Sequence, residues 1–502
     1  MKLRSFKILV VFSGLIAISS CKKMMDINKN PDAIPDSNSP IAQLLTSAQV
    51  NLAFEGGSDL YRYTTLIMQQ MSGNASQPNQ TYEYYRYNVT GSDENNVWSS
   101  IFASTLNDLQ LIINQGSASP YYTGIAKILK AYEYSLVVDT WGDVPYSEAQ
   151  LLSANTQPKY DDDATIYPKL IGLLSDAVND LNASSSALVP GTNSVMYSNA
   201  NFATVKTNWI KLANTLRLRL LLHTRKVDPT WLTNFNALIT AAGPFFTANA
   251  DGFSAPFFNL ANQRNPISQF EVSRANYLYA DQQMVGMMNA KADPRRAFYF
   301  TDFPFGSGSY LGVAAATPPV NANSNYSRIH TFLRGAVTAG TVPPFTYSGA
   351  APQRMLPFAE YCFIRAEAAL YGASAAGNPT AYASTADGWF KAGIAASMDE
   401  TGVAAVTRDA YITTNGTLAG TVDQQLKQII EEKYIALFGV SVEPWTDYRR
   451  TGYPVLTLPA NAFSGVSAVP RTLFYPQSEI DLNPNCPAQK PANLQSKVFW
   501  DN

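Results

Sequence analysis

The chain has 502 residues, of which 46% are hydrophobic and 15% charged, with a formal net charge of -2. That apolar share suffices for a full core, while the charged share is far below the ~25% of ordinary soluble proteins. Near-neutrality leaves no basic field for nucleic acid, and two histidines, His223 and His330, cannot build a histidine-rich metal site.

The chain opens with Lys2, Arg4 and Lys7 and then runs from Ile8 to Ala17 almost without polar residues. About ten apolar residues are too few to span a bilayer, which takes roughly 20, so this is the charged n-region and short h-region of an export signal. Ile18-Ser19-Ser20-Cys21 resembles the lipobox of bacterial lipoproteins, which implies a signal peptide over 1–20 and acylation of Cys21 as the first mature residue. The alternative is a plain secretory peptide with an incidental cysteine. Lys22 and Lys23 stand where acidic residues often mark surface export, and Asp26 is the first acid. The polar, proline-rich segment 21–40 reads as a tether, and 41–502 as the folded body.

Periodic blocks follow near 41–72, 97–115, 121–139, 166–183, 207–226, 230–242, 281–290, 355–372, 384–399 and 421–439. Ile125, Ile128, Leu129, Tyr132 and Leu136 share one helical face, and Trp209, Leu212, Ala213, Leu216 and Leu220 repeat the spacing. Helices of this length in sequential pairs predict a mainly α fold of stacked, tetratricopeptide-like hairpins, although no strict 34-residue signature is present. Between the blocks lie irregular insertions at 73–96, 243–280 and 298–350, too aromatic for disorder and too long to be mere connections. No glycine fingerprint, Gly-x-Ser-x-Gly elbow or His-Glu-x-x-His pair occurs, and no cofactor is expected. Asp161-Asp162-Asp163 lacks EF-hand spacing and suits a helix cap better than a metal site or a catalytic pair. Cys362, in an apolar segment, is expected to be a buried free thiol.

Six segments in order carry a family resemblance: "YSLVVDTWGDVPYSEA" (134–149), "PKYDDDATIYPKL" (158–170), "WIKLANTLRLRLLLHTRK" (209–226), "ADPRRAFYF" (292–300), "FAEYCFIRAEAALYG" (358–372) and "IIEEKYIALFGVSVEPWTDYRRTGYP" (429–454). They resemble the SusD/RagB family of nutrient-binding outer-membrane lipoproteins, in particular its SusD-like second branch. The resemblance implies a right-handed superhelix of tetratricopeptide-like pairs overlaid by an irregular ligand-binding region. It also implies a surface protein that binds glycans, or in some members peptides, and caps a SusC-like TonB-dependent transporter without cleaving its cargo. A purely protein-binding helical scaffold is the remaining alternative.

The motifs themselves read as fold-builders: Trp141 and Tyr146 packing a hairpin corner, Arg295 bracing a loop, and Glu443, Asp447, Arg449 and Arg450 forming an ion-pair knot in a turn. Ligand contacts are expected instead in the insertions, where sugar faces stack on rings and hydroxyls meet amides. The candidates are Asn74, Asn79, Tyr82, Tyr84, Arg86 and Trp98, with Tyr310 and Tyr326 as a second group beside Asn321, Asn323 and Asn325. Tyr82, Tyr84 and Arg86 share parity and would face one way in an extended segment; Trp98, at a helix start, is equally a core candidate.

Overall fold

The computed structural model describes residues 40–74, 80–151, 154–241, 243–315, 326–374 and 385–501. Cys21, Asn79, Asn321, Asn323 and Asn325 lie outside them. From Ile41 onward the chain folds as one compact unit. Its scaffold helices are α1 (Ile41–Gly57), α2 (Leu106–Gln115), α3 (Pro120–Trp141), α4 (Asp163–Leu181), α5 (Phe202–His223), α6 (Trp231–Ala241), α7 (Phe358–Leu370), α8 (Ala386–Thr401), α9 (Ala405–Asn415), α10 (Val422–Ala436) and α11 (Glu443–Thr451). Successive helices from α1 through α6 pack on one another, and α7 packs on α8, α10 and α5, which is the stacking of a helical-hairpin array.

The local chemistry explains these helices. Pro120 opens α3 where a missing N–H costs nothing, and Gly142 closes it at a φ of 79°. The predicted face of Ile125, Ile128, Leu129, Tyr132 and Leu136 is buried. Gly124 lets α3 and α4 approach closely: a Cβ there would stand 2.8 Å from the Leu181 side chain and 3.0 Å from the Ala177 carbonyl. At the corner between them, Trp141 is buried and Tyr146 packs edge-on to Tyr134. The three aspartates serve that corner. Asp161 accepts from the backbone N–H groups of Tyr146 (3.0 Å) and Ser147 (2.8 Å), Asp162 is the N-cap residue of α4, and Asp163 accepts from the Phe499 N–H at 2.9 Å. Cys362 is free and buried, and Cys486 is free and half-buried.

Several segments read as turns or irregular insertions are helical, among them Pro266–Ser273 and the start of Gly91–Ser99. Glu443–Thr451 forms α11, with Pro444 in its first turn and left-handed Gly452 at its end, and Gln80–Tyr85 is a short helix inside the first insertion. The ion-pair knot therefore joins helices rather than bracing a turn. Lys433 of α10 lies 2.7 Å from both Glu443 and Asp447; Arg450 pairs with Asp447 at 2.6 Å and grips Glu367 of α7 with both Nη atoms at 2.8 and 2.9 Å. Arg219 of α5 reaches Glu360 at 3.4 Å and Glu443 at 3.7 Å. Burial pulls the Glu443 carboxyl up, but Lys433, His223 and Arg219 overcome it and hold it well below the usual range. A second knot places Arg295 between Asp293 (2.6 Å) and Glu432 (2.7 Å), all three fully buried.

Among the described residues, three antiparallel two-stranded ribbons tie down the insertions: β1 (Met71–Gly73) with β3 (Leu278–Ala280), β2 (Phe253–Ala255) with β6 (Gln353–Leu356), and β4 (Val337–Ala339) with β5 (Thr346–Tyr347). In the first ribbon Met71 faces Ala280 and Gly73 faces Leu278. The short helix Gln80–Tyr85 lies so close to this ribbon that a Cβ on Gly73 would meet the Thr81 carbonyl oxygen at 2.2 Å.

Candidate functional site

The β1–β3 ribbon organises a face built from the insertions. The chain after β3 turns into helix Gln282–Ala290, whose N-cap Asp281 accepts from the Gln283 N–H at 2.7 Å. Segment 311–315 runs alongside, with the Gln282 N–H donating to the Val313 carbonyl at 2.8 Å and Val313 N–H to Ala280 at 2.9 Å. Segment 457–463 joins from the far end of the sequence: the Ala460 N–H donates to Ala315 at 2.9 Å and the Phe463 N–H to Arg86 at 2.7 Å. These pieces enclose a cleft of about 340 Å³ lined by Gln69, Asp281, Gln283, Met287, Ala315 and Thr457, among others.

The cleft wall carries signs of constraint. Gln69 has a φ of 56°, costly for a side chain with a Cβ; its amide donates to the Thr457 carbonyl and to the Tyr87 hydroxyl at 3.3 Å, and its Oε1 is buried without a partner. Asp281 is fully buried, and burial pushes its carboxyl up to about 8, so it is largely protonated at neutral pH. Among the described residues that line the cleft it is the one acid.

Beside the cleft, Tyr82, Arg86, Asn461 and Phe463 form one cluster. The Arg86 guanidinium sits 5.9 Å from the Tyr82 ring centre and 5.8 Å from that of Phe463, its Nε donates to the Asn461 carbonyl at 3.0 Å, and the Asn461 amide donates to the Tyr82 hydroxyl. Tyr82 and Arg86 are half-buried and Phe463 is 39% exposed, so flat apolar surface and polar groups reach solvent together. Such a surface suits stacking plus hydrogen bonding.

The candidate residues separate into two groups. The helix Gln80–Tyr85 turns about 100° per residue, so Tyr82 and Tyr84 do not share a face as they would in a strand; Tyr82 instead meets Arg86 one turn on. Tyr84 points inward, 1% exposed, its hydroxyl donating to Asp93 at 3.1 Å and its ring edge-on to Tyr63 at 4.8 Å. Trp98 is 5% exposed, stacked on Phe102 at 4.3 Å, parallel to Tyr160 at 6.3 Å and edge-on to Trp141 at 5.3 Å. Asn74 is buried and donates to the Asn276 carbonyl at 2.7 Å, extending the β1–β3 ribbon. These three are spent on packing and offer a ligand no open face.

Tyr82, Arg86, Tyr310 and Tyr326 remain half-buried on the insertion face. Arg296 lies over the Tyr310 ring at 5.2 Å, and Tyr326 packs edge-on against Tyr279 at 6.1 Å. Sequence reasoning missed Phe463, Asn461 and Gln69. A phenylalanine in the Pro-, Ala- and Gly-rich stretch "LPANAFSGVSAVP" is an available signal for the first of these; nothing local marks Gln69.

The comparisons agree with this architecture. A family model described as SusD-like, starch-binding associating with outer membrane, matches residues 32–476. Similar solved structures include a chitin-binding SusD homologue from Flavobacterium johnsoniae, 23% identical with a TM-score of 0.73, covering 92% of this chain and 98% of that one. A SusD homologue from Bacteroides uniformis is 22% identical with a TM-score of 0.72, covering 91% and 99%. A further chitin-binding protein is 23% identical with a TM-score of 0.72, covering 92% and 100%. No curated protein matches the chain. With the family model spanning most of its length and the SusD-like helical fold followed nearly end to end, this protein is a member of the SusD-like family.

Proposed function

We propose that the chain captures oligosaccharides at the cell surface on the Tyr82, Arg86, Asn461 and Phe463 face, without cleaving them, and passes them to a SusC-like TonB-dependent transporter. Members of the family are non-catalytic binding proteins associated with the outer membrane. The observation that carries the reading is the joint exposure of rings and polar groups at the Tyr82, Arg86, Asn461 and Phe463 cluster. The family description names starch and two solved relatives bind chitin, so glucose and N-acetylglucosamine oligomers are the ligands of choice. Acylation at Cys21, at the end of the lipobox-like Ile18-Ser19-Ser20-Cys21, supplies the anchor.

The test is calorimetric titration of the chain carrying Cys21→Ser with malto- and chito-oligosaccharides, followed by an assay of each mixture for cleavage. Saturable heat with intact sugar, lost in a Tyr82→Ala, Phe463→Ala double variant, is expected. Heat with oligopeptides alone would make the ligand a peptide. Co-purification of the acylated protein with a large β-barrel transporter checks the second half of the proposal.

A further inference from the structure

Helices α4, α5 and α6 and the C-terminal Phe499 line an open groove of about 900 Å³. Its wall is mostly aliphatic, with Ile171, Leu221, Val227 and Leu238 among its residues. The polar groups on that wall are engaged within the protein. The Tyr167 hydroxyl lies between Asp139 and the Nδ1 of His223, and Thr224 donates to the Leu221 carbonyl at 3.0 Å. The Asp228 carboxylate accepts from the Thr230 N–H at 2.8 Å and its hydroxyl at 2.7 Å, and Asn234 donates to that same hydroxyl oxygen at 3.0 Å.

Arg217 is the exception. One Nη donates to the Asn214 Oδ1 at 3.3 Å, the Nε is buried with no partner, and no carboxylate of the described residues pairs with the guanidinium within 4.0 Å. Elsewhere in this chain buried arginines are held by two or more partners: Arg450 by Glu367 and Asp447, Arg295 by Asp293 and Glu432. A permanent cation part-buried in an apolar wall, with its own counter-charge missing, calls for an anion brought by something else.

We propose that this groove binds a single-chain amphipathic carboxylate, with its hydrocarbon body along the aliphatic wall and its head group on the Arg217 guanidinium. The volume falls in the range of about 300–1,000 Å³ that holds small ligands. A planar guanidinium pairs with a carboxylate through two parallel hydrogen bonds, which a neutral alcohol head cannot reproduce. The wall does not suit an extended peptide, which needs a ladder of backbone donors and acceptors, nor a sugar, whose many hydroxyls would be left unpaired.

The probe is decanoate below its micellar concentration, titrated calorimetrically into the chain carrying Cys21→Ser, with decanol as the neutral control. Saturable binding of decanoate is expected, tightening by up to roughly fourfold for each added methylene. Arg217→Met should weaken decanoate about tenfold or more, the value of a lost charge-assisted bond, and leave decanol unchanged. Arg217→Lys, which restores the charge, should recover much of the loss, and Ala237→Trp, which fills the groove, should abolish binding of both. Equal affinity for acid and alcohol, indifference to Ala237→Trp, or no saturable heat with decanoate would each overturn the proposal. Unchanged unfolding midpoints of the variants separate a lost site from a lost fold.

Discussion

Arg450 in the helical scaffold and Arg86 on the insertion face are the same side chain in two settings. Arg450 is buried, bidentate to Glu367 and bonded again to Asp447. Arg86 keeps 28% of its side chain exposed, lies between two rings, and has Glu83 only at 3.7 Å. The aromatics divide the same way: Trp98 is sealed among Phe102, Trp141 and Tyr160, while Phe463 stands open. These scaffold residues are satisfied internally and so fix a shape, whereas on the insertion face rings and polar groups stand part-exposed together.

That contrast breaks most visibly where a scaffold residue is truncated. Arg450→Met should cost about 3–5 kcal/mol in denaturant unfolding, because Glu367 and Asp447 would remain buried with their cation gone. Trp98→Ala should cost about 3–5 kcal/mol, the range for emptying a large core site, and leave sugar affinity per folded molecule unchanged. If Trp98→Ala instead removed binding at constant stability, the division between the two regions would be wrong at that residue. Gly124→Val, which pushes a side chain into Leu181 and the Ala177 carbonyl, should cost about 1–3 kcal/mol by overpacking the α3–α4 contact.

The scaffold was legible in the sequence because burial imposes a 3.6-residue period that short windows capture. The face of Trp209, Leu212, Ala213, Leu216 and Leu220 is buried as its spacing predicts. Helix α11 escaped because Glu443, Asp447, Arg449 and Arg450 look polar and solvated; Glu443, Asp447 and Arg450 are paired with Lys433, Glu367 and Arg219 from other helices, and Arg449, outside the ion-pair knot, donates to the Asp139 and Arg471 carbonyls. The insertion face was harder for the same reason. Arg86 meets Asn461 across 375 positions and Gln69 meets Thr457 across 388, and no local pattern encodes such contacts. The density of rings and amides near 73–98 marked a segment that reaches the insertion face, but it could not separate Tyr82, left half-open, from Tyr84 and Trp98, covered by distant partners.

On the insertion face the largest effects should fall on affinity. Tyr82→Ala and Phe463→Ala should each weaken oligosaccharide binding by about 1–3 kcal/mol, the range for a truncated aromatic anchor, read by calorimetry. Their unfolding midpoints should move little, since both rings are part-exposed and neither closes a core. Tyr84→Phe is the matched control: it loses a hydroxyl bonded to Asp93 and should leave affinity as it was.

The smallest effect tests whether the cleft carries a neutral acid. Burial raises the Asp281 carboxyl to about 8 in the folded state, against an ordinary aspartate near 3.8. A raised folded value means the native state holds the proton more tightly, so this contribution is complete below the unfolded value and is lost as pH rises through about 8. Between pH 7 and 9 the loss should be about 1 kcal/mol. Glu432 runs the other way: burial opposes its charge, but Lys291 and Arg295 hold it down at about 2, so its contribution is present above about pH 4.5 and is lost as pH falls towards 2. Stability measured against pH should therefore decline on both limbs. Asp281→Asn, which keeps an oxygen to cap helix Gln282–Ala290, should flatten the alkaline limb and leave the acid limb in place. An alkaline limb unchanged in that variant would mean that Asp281 is ionised in the native cleft, and that its Oδ2 has a counter-charge supplied from outside the described residues.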